Sequence, residues 1–479
     1  MLVLLSVFFY ITASLIPALT TFAEEPDYQA QAEERKNLPV QSNQIPDWPD
    51  GPQISAQSAI LMEANTGVIL YAKNIHERAY PASTTKIMTC LLATENAKMD
   101  ELVTFSHDAV FGISRDSSNI GIDVGQAMSM EECLYGILVA SANEVANAVA
   151  EHISGSQDDF AKLMNQKATE LGCENTHFVN AHGLYDDNHY TTAYDLALIA
   201  QAFFKSELLT KVGNTASYHF VATNEQPDDF IVRNKHKLIT GEIAYNGIKG
   251  GKTGYTDEAR QTLVTCAERN GMKLICVVMK EETPDQFNDT AKLFDYGFSN
   301  FSITNVSTYE TDYQIDNPGF FHSSYDVFGN SKQILTLNPD SYLILPKTAD
   351  FHELTSEVSY ENLSENEVAE ILYTYHDNYV GSANILLAKD TYIPSDDENA
   401  VYTEDGRKIT FVNVKTIIFI TLAVAALLII IFVVRDVVNN YTILDSGHGT
   451  VRKKRPKRVK RNRDKGPKFP SSRSKGFGL

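Results

Sequence analysis

A serine and a lysine three residues apart, Ser83 and Lys86, have the types and spacing needed for nucleophilic catalysis. They open an apolar segment of helical periodicity, and on a helix the two positions share one face. The amine can then lie beside the hydroxyl and take its proton, because burial lowers the pKa of an ammonium group. Free N–H groups at the helix start can stabilise an oxyanion. A second Ser-x-x-Lys, at Ser472, lies in a basic tail without this setting.

A second motif, Ser141-Ala142-Asn143, stands where two apolar helical runs meet. A junction between buried helices can present a hydroxyl and an amide to a cleft. Ser-x-Asn also occurs at Ser117 and Ser382, but neither copy stands between two such helical runs. The position, more than the pattern itself, makes Ser141 and Asn143 candidate site residues.

A third motif, Lys252-Thr253-Gly254, comes just before a run of strand character. A lysine at a strand edge supplies positive charge and the threonine a hydroxyl, while glycine lets a ligand approach the backbone closely. The third motif thus adds positive charge, a hydroxyl and an accessible backbone to the candidate site residues.

In this order the three motifs resemble those of penicillin-binding proteins and serine β-lactamases. The surrounding sequence is similar to the D-alanyl-D-alanine carboxypeptidases of peptidase family S11, over residues 55–300 and more loosely beyond. The stretches that carry this resemblance are residues 80–86, 134–143, 180–184, 189–193 and 251–257. Two departures are Ala181, where the family often has proline, and Arg260, where it commonly has glycine. Arg260 bears on substrate preference more than on the reaction.

The resemblance implies hydrolysis through a serine ester, with Ser83 attacking the penultimate D-alanine carbonyl of a peptidoglycan stem peptide. Lys86 is then the proton acceptor, and Ser141, held by Asn143, relays the proton to the departing amine. β-Lactams are expected to inhibit by acylating Ser83. The catalytic residues predicted are thus Ser83, Lys86 and Ser141.

For substrate binding, the resemblance implies Asn143, Lys252, Thr253, Gly254 and Tyr255. Lys252 and Thr253 would hold the terminal carboxylate, and the N–H groups of Ser83 and Tyr255 would form the oxyanion hole. No metal and no organic cofactor is required.

The predicted fold class is α+β: a transpeptidase-like domain, with helices on the faces of an antiparallel sheet, followed by a small, mostly β domain and one transmembrane helix. The predicted organisation is a signal peptide at 1–23, a linker at 24–54, the serine carboxypeptidase domain at 55–300, the β-rich domain at 301–389, a linker at 390–415, the transmembrane helix at 416–434 and a basic tail at 435–479.

Charge and hydropathy predict the topology. Residues 416–434 are uncharged and span roughly 28 Å as a helix, close to the hydrocarbon thickness of a bilayer. Of the 41 basic residues in the chain, 14 follow residue 434, and positive charge marks the cytoplasmic side. The predicted location is therefore the cell membrane, single-pass, with the catalytic domain outside. The acidic body, in a chain of net charge -20, argues against a nucleic-acid partner.

Two alternatives are a class A β-lactamase and a non-catalytic wall-binding protein on the same fold. The first needs a Glu-x-x-Leu-Asn pattern after Ser-x-Asn, and residues 158–180 contain none. The second is disfavoured because all three motifs are intact. Endopeptidase activity on cross-links stays open. The five cysteines have no zinc-site spacing, and a metal cluster around His182 lacks a ligand pattern.

Overall fold

The computed structural model describes the chain mainly between residues 26 and 387. The described residues are 26–114, 116–310, 335–361, 363–364, 366–387, 431, 433–435, 441–443 and 451–453. The chain divides into two units, residues 1–391 and 392–479.

The first unit contains helices and strands in alternation. The helices are α1 (Tyr28–Lys36), α2 (Lys86–Asn96), α3 (His107–Phe111), α4 (Met130–Tyr135), α5 (Asn143–Ser154), α6 (Gln157–Glu170), α7 (Ala193–Lys205), α8 (Glu207–Gly213), α9 (Lys237–Thr240), α10 (Asp285–Asn300) and α11 (Val306–Tyr309). The first nine strands are β1 (Ser58–Glu63), β2 (Ile69–Lys73), β3 (Leu102–Thr104), β4 (Ala127–Ser129), β5 (Ser217–Phe220), β6 (Phe230–Arg233), β7 (Ile248–Thr256), β8 (Arg260–Arg269) and β9 (Met272–Glu281).

A five-stranded antiparallel sheet, in the order β2-β1-β9-β8-β7, divides this part of the molecule into two cores. Alternate residues of its strands point to opposite faces. Ile60 and Val277 pack with α2 and α4–α8 on one face, whereas Leu61 and Val278 pack with α10 on the other. Since β1 and β9 are covered on both sides, they are apolar almost throughout. This arrangement confirms the predicted α+β class.

A second sheet follows directly after α10. Its strands are β10 (Phe301–Asn305), β11 (Leu335–Leu337), β12 (Tyr342–Pro346), β13 (Thr355–Ser359), β14 (Glu367–Tyr375) and β15 (Asn378–Leu387). They pair in the order β10-β12-β15-β14-β13, with β11 on β15. Leu343 and Ile371 of this sheet share a core with Phe294 of α10. Strands therefore make up most of the described residues in the region predicted to be β-rich.

Two local predictions differ from the structure. Residues 24–54 were expected to be a linker, but they contain α1, a 3-10 turn at Gln41–Gln44 and a buried tryptophan, Trp48. The Lys-Thr-Gly motif was placed before a strand, but it lies inside edge strand β7. Three glycines in β7 lower its apparent strand propensity, which explains the second difference.

The predicted membrane segments fall mostly on residues that the structure does not describe. These are the signal peptide at 1–23 and most of the apolar run at 416–434. Within the described part of the chain, no helix is both long and apolar enough to cross a membrane. In the second unit, β16 (Tyr441–Ile443) and β17 (Val451–Lys453) form an antiparallel pair.

The five cysteines are all free thiols, and four are buried. Cys90 lies on α2, Cys133 on α4, Cys266 on β8 and Cys276 on β9, while Cys173 is partly buried. Burial raises the pKa of every one of these thiols, so they are poor nucleophiles in the folded state.

Candidate active site

Ser83 lies in a 3-10 turn, Ala82–Thr85, that runs into the first residue of α2. The carbonyl oxygen of Pro81 holds the turn by accepting hydrogen bonds from Thr84 Oγ1 at 2.6 Å and from Thr262 Oγ1 of β8 at 2.9 Å. Ala82 has a φ of 48°, a left-handed conformation that alanine rarely adopts. The turn that presents Ser83 is thus tied to strand β8 through the Pro81 carbonyl.

Lys86 is fully buried, and its Nζ has three oxygen partners. These are Ser83 Oγ at 3.1 Å, Asn143 Oδ1 at 2.6 Å and the carbonyl oxygen of His182 at 2.6 Å. Burial, with the charge of Lys252 as a second cause, lowers the pKa of Lys86 well below its ordinary value. A neutral amine has two N–H groups and one lone pair. Because the amide and backbone oxygens can only accept, the lone pair is left for the hydroxyl of Ser83.

The loop that supplies the His182 carbonyl packs directly against the Ser83 turn. Gly183 has a φ of 86°, and a Cβ there would lie 1.8 Å from the carbonyl oxygen of Ala82. Only glycine fits this contact. Asn180 Oδ1 accepts hydrogen bonds from the N–H groups of His182 and Gly183, which fixes the loop. This loop conformation places the His182 carbonyl oxygen where it can accept a hydrogen bond from Lys86 Nζ.

Ser141 lies at the predicted junction, between a π-helical turn at Gly136–Ala140 and the start of α5. Its φ of 63° and ψ of 32° break the helix there. Its Oγ accepts a hydrogen bond of 3.0 Å from Lys252 Nζ, which also donates to the Thr253 carbonyl at 2.9 Å. Burial and the nearby charge of Lys235 lower the pKa of Lys252 to about 7.

Strand β7 approaches the Ser83 turn closely at Gly254. A Cβ at this position would lie 3.0 Å from the backbone nitrogen of Ser83 and 2.3 Å from Thr262 Oγ1. The side chain of the next residue, Tyr255, is 48% exposed, and its hydroxyl donates to Asp257 at 2.8 Å. The structure therefore brings all three motifs together, with the two lysines beneath the surface.

A cleft of about 430 Å³ lies over these residues. Its lining residues are Ser83, Asp116, Ser117, Ser118, Ser141, Asn143, Leu184, Lys235, Lys237, Thr253, Gly254, Tyr255, Gln261, Thr283, Gln286 and Phe287. Two larger cavities, of about 710 and 620 Å³, contain no residue of the three motifs. We place the site in the smaller cleft because the nucleophile and its proton acceptor are there.

Several lining residues carry no motif and were missed by the sequence analysis. Lys235 Nζ donates to Ser118 Oγ at 2.8 Å, and the carbonyl oxygen of Ser118 accepts from the N–H of Asn143 at 2.8 Å. Ser117 and Ser118 belong to the Ser-x-Asn copy that sequence context had set aside. The available signal was the pair Lys235 and Lys237, two basic residues close together in an acidic body.

The histidines beside the cleft are neutral. Burial lowers the pKa of His182, His189 and His236 to about 3 in each case. His189 Nε2 is 2.8 Å from Thr85 Oγ1, so it supports the Ser83 turn. Among the described residues, no group of three or more His, Cys, Asp or Glu is arranged to hold a metal ion.

Comparison with known proteins agrees with this arrangement. Residues 44–283 match the Peptidase_S11 family, described as D-alanyl-D-alanine carboxypeptidase. Over 252 residues the chain is 41% identical to D-alanyl-D-alanine carboxypeptidase DacF of Bacillus subtilis. That alignment covers 51% of this chain and 63% of DacF. It is also 30% identical to D-alanyl-D-alanine carboxypeptidase DacA of Haemophilus influenzae over 353 residues. That alignment covers 71% of this chain and 86% of DacA.

The fold is similar to those of solved penicillin-binding proteins. For penicillin binding protein 5 from Haemophilus influenzae, the TM-score is 0.56 at 29% identity, covering 71% of this chain and 98% of that one. For penicillin binding protein 6B from Escherichia coli, it is 0.53 at 26% identity, covering 72% and 98%. The fold and the serine–lysine site define the penicillin-binding class of serine acyl-enzymes. Within that class, the chain belongs to the S11 family of D-alanyl-D-alanine carboxypeptidases.

Proposed function

We propose that this protein is a serine D-alanyl-D-alanine carboxypeptidase that removes the terminal D-alanine from peptidoglycan stem peptides. The observation that carries the proposal is the contact of 3.1 Å between the buried Lys86 Nζ and Ser83 Oγ, at the floor of an open cleft. No metal or organic cofactor takes part in the scheme.

In the acylation step, Ser83 Oγ attacks the carbonyl carbon of the penultimate D-alanine while its proton passes to neutral Lys86. The C–N bond to the terminal D-alanine then breaks, and the departing nitrogen receives a proton through Ser141. Water hydrolyses the Ser83 ester, which releases the shortened stem and restores the hydroxyl. Asn143 holds Lys86 in place through the contact of 2.6 Å.

Substrate binding uses the β7 side of the cleft. Lys252 and Thr253 bind the terminal carboxylate, which restricts the enzyme to chain ends. The N–H groups of Ser83 and Tyr255 bind the developing oxyanion. Gly254 supports this role because it lets β7 lie against the Ser83 backbone. β-Lactams carry a similar carbonyl and carboxylate, so they should acylate the same serine and act as inhibitors.

We further propose that the enzyme is anchored in the cell membrane by residues 416–434, after removal of a signal peptide at 1–23. The catalytic domain at 55–300 and the β-rich domain at 301–389 then lie outside, joined to the anchor by a linker at 390–415. The tail at 435–479 lies in the cytoplasm. The support is the uncharged run and the 14 basic residues that follow it.

The test is covalent labelling combined with product analysis. Intact-mass spectrometry after incubation with benzylpenicillin should show one adduct on the wild-type chain and none on Ser83→Ala. Ser472→Ala, which alters the other Ser-x-x-Lys, is the matched control and should be labelled like wild type. Muropeptides incubated with the wild type should lose one D-alanine. An adduct that persists in Ser83→Ala would falsify the assignment.

A further inference from the structure

Arg260 occupies a strained position at the rim of the cleft. It is the first residue of β8 and has a φ of 52°, in the left-handed region that favours glycine. Backbone strain of this kind persists only where the surroundings hold the residue in place. The contacts of the side chain show what holds it.

The guanidinium group of Arg260 joins three elements. It donates to both carboxylate oxygens of Glu282, at 3.1 and 2.8 Å, and to the Tyr255 hydroxyl at 3.2 Å. Its carbon also lies 3.7 Å from the ring centroid of Tyr28 on α1. Because a carboxylate and a ring already occupy the guanidinium, it is not free to bind a substrate carboxylate.

The residues beside this contact form two walls of the cleft. Gln261 follows Arg260 and Thr283 follows Glu282, and both line the cleft. Gln286 Nε2 donates to Gln261 Oε1 at 3.2 Å, which links the walls a second time. Displacing Arg260 would therefore move both walls together.

Helix α1 closes over Glu282 and is itself firmly held. Arg35 Nη2 lies 3.5 Å from Glu282 Oε1, and Arg35 Nε donates to the Ser55 carbonyl at 2.9 Å. The fully buried Lys73 donates to the Arg35 carbonyl at 2.8 Å. The N-terminal segment is thus built into the catalytic fold at the same acidic residue that holds Arg260.

We propose that Tyr28, Arg260 and Glu282, the rim latch, are positioning residues through which the N-terminal helix sets Tyr255 opposite Ser83. The inference rests on the proposed function, since it concerns the gap between β7 and the nucleophile. That gap is narrow, because a Cβ on Gly254 would already touch the Ser83 nitrogen. The sequence suggests that Arg260 affects substrate preference, but its guanidinium is already held by Glu282 and Tyr28. The rim latch therefore acts on the acylation step and not on recognition of the carboxylate, which Lys252 and Thr253 provide.

The experiment measures single-turnover acylation of the full chain by benzylpenicillin and by a D-alanyl-D-alanine peptide. Arg260→Gly keeps the left-handed backbone and removes the guanidinium, while Tyr28→Ala removes the ring from α1. Each should lower the limiting acylation rate by about tenfold for both substrates, with the half-saturating concentration changed less than about twofold. The double variant should be no slower than the slower single variant, because the two residues act as one unit.

Two control variants separate positioning from general destabilisation. Tyr28→Phe keeps the ring face and should acylate like wild type, as should Gln29→Ala, a change at an exposed neighbour on α1. Wild-type rates in both Tyr28→Ala and Arg260→Gly would overturn the inference and leave the proposed function intact. So would multiplicative losses in the double variant, or an equal loss in Gln29→Ala. Failure of the wild type to acylate would instead overturn the proposed function.

Discussion

Lys86 and Lys252 lie under the same cleft, but their partners suit different protonation states. Lys86 faces two oxygens that can only accept, which leaves its lone pair for Ser83. Lys252 has a pKa of about 7, so near neutral pH it interconverts between an ammonium that binds anions and an amine that accepts protons. The two lysines can therefore be distinguished by substrate charge and by pH.

Truncating Lys252 should affect peptides with a free carboxylate most. Lys252→Ala removes a charge-assisted contact worth about 1.5–3 kcal/mol, which is roughly a 10- to 150-fold loss. Acylation of a C-terminally amidated peptide should fall much less, since that partner is already absent. Lys86→Ala should slow both substrates alike, because a base acts on Ser83 whatever the leaving group carries. Equal losses from Lys252→Ala on the two peptides would assign it to proton relay.

The pH dependence follows from the lowered pKa of Lys252. Its ammonium is present below the folded-state pKa of about 7 and is lost as the pH rises through it. We expect kcat/KM for the free-acid peptide to fall on the order of tenfold between about pH 6.5 and 8.5. The amidated peptide should not share this fall. A kcat/KM that rises through pH 7 for both peptides would contradict carboxylate binding by the ammonium.

Sequence reasoning at the residue scale works for groups that carry a pattern. Each motif combines particular residue types with a structural setting, and the structure brings Ser83, Ser141 and Lys252 together as the motifs predict. Lys235 and Ser118 were missed because both lie in loops. The loop conformations bring them to the cleft, and the local sequence does not predict their distance from Lys252. Ser118 also shows that a motif copy without a helical setting can line the candidate cleft.

At the scale of elements, the site depends on one strand lying against one turn. Gly254→Ala would place a Cβ 3.0 Å from the Ser83 nitrogen and 2.3 Å from Thr262 Oγ1, which forces β7 away from the turn. We expect penicillin acylation to fall about 10- to 100-fold. The matched control is Gly213→Ala, whose Cβ would have its nearest neighbour, a Phe203 ring carbon, at an ordinary 3.5 Å. A Gly254→Ala protein with wild-type acylation would rule out this dependence on close approach.

The elements that sequence patterns predicted best are those with strong apolar periodicity. The helices on both sides of Ser141 belong to this group. Helix α1 was missed because it has almost no apolar face, and Ala32 and Arg35 are its only buried residues. Its packing comes from buried hydrogen bonds and ion pairs, which leave no periodic trace in the sequence.

At the scale of the whole molecule, charge asymmetry predicts an orientation across the membrane. Protease added outside intact cells should digest the body and spare the tail from residue 452 to residue 479. The expectation follows from the basic residues after the apolar run, which resist translocation. Immunoblotting with tail and body epitopes checks it, with lysed cells as the control in which both epitopes are lost. A tail that is cleaved in intact cells would reverse the orientation.

The buried free thiols can report local unfolding of the protein. Cys90, Cys133, Cys266 and Cys276 are buried in helices and strands on both sides of the main sheet. A thiol reagent can modify them only when the surrounding element opens, so the labelling rate at each cysteine reports local unfolding there. Once opened outside a reducing compartment, the chain could form wrong disulfides before it refolds. Resistance of the native packing to opening, more than any cross-link, would then set the working lifetime of the enzyme.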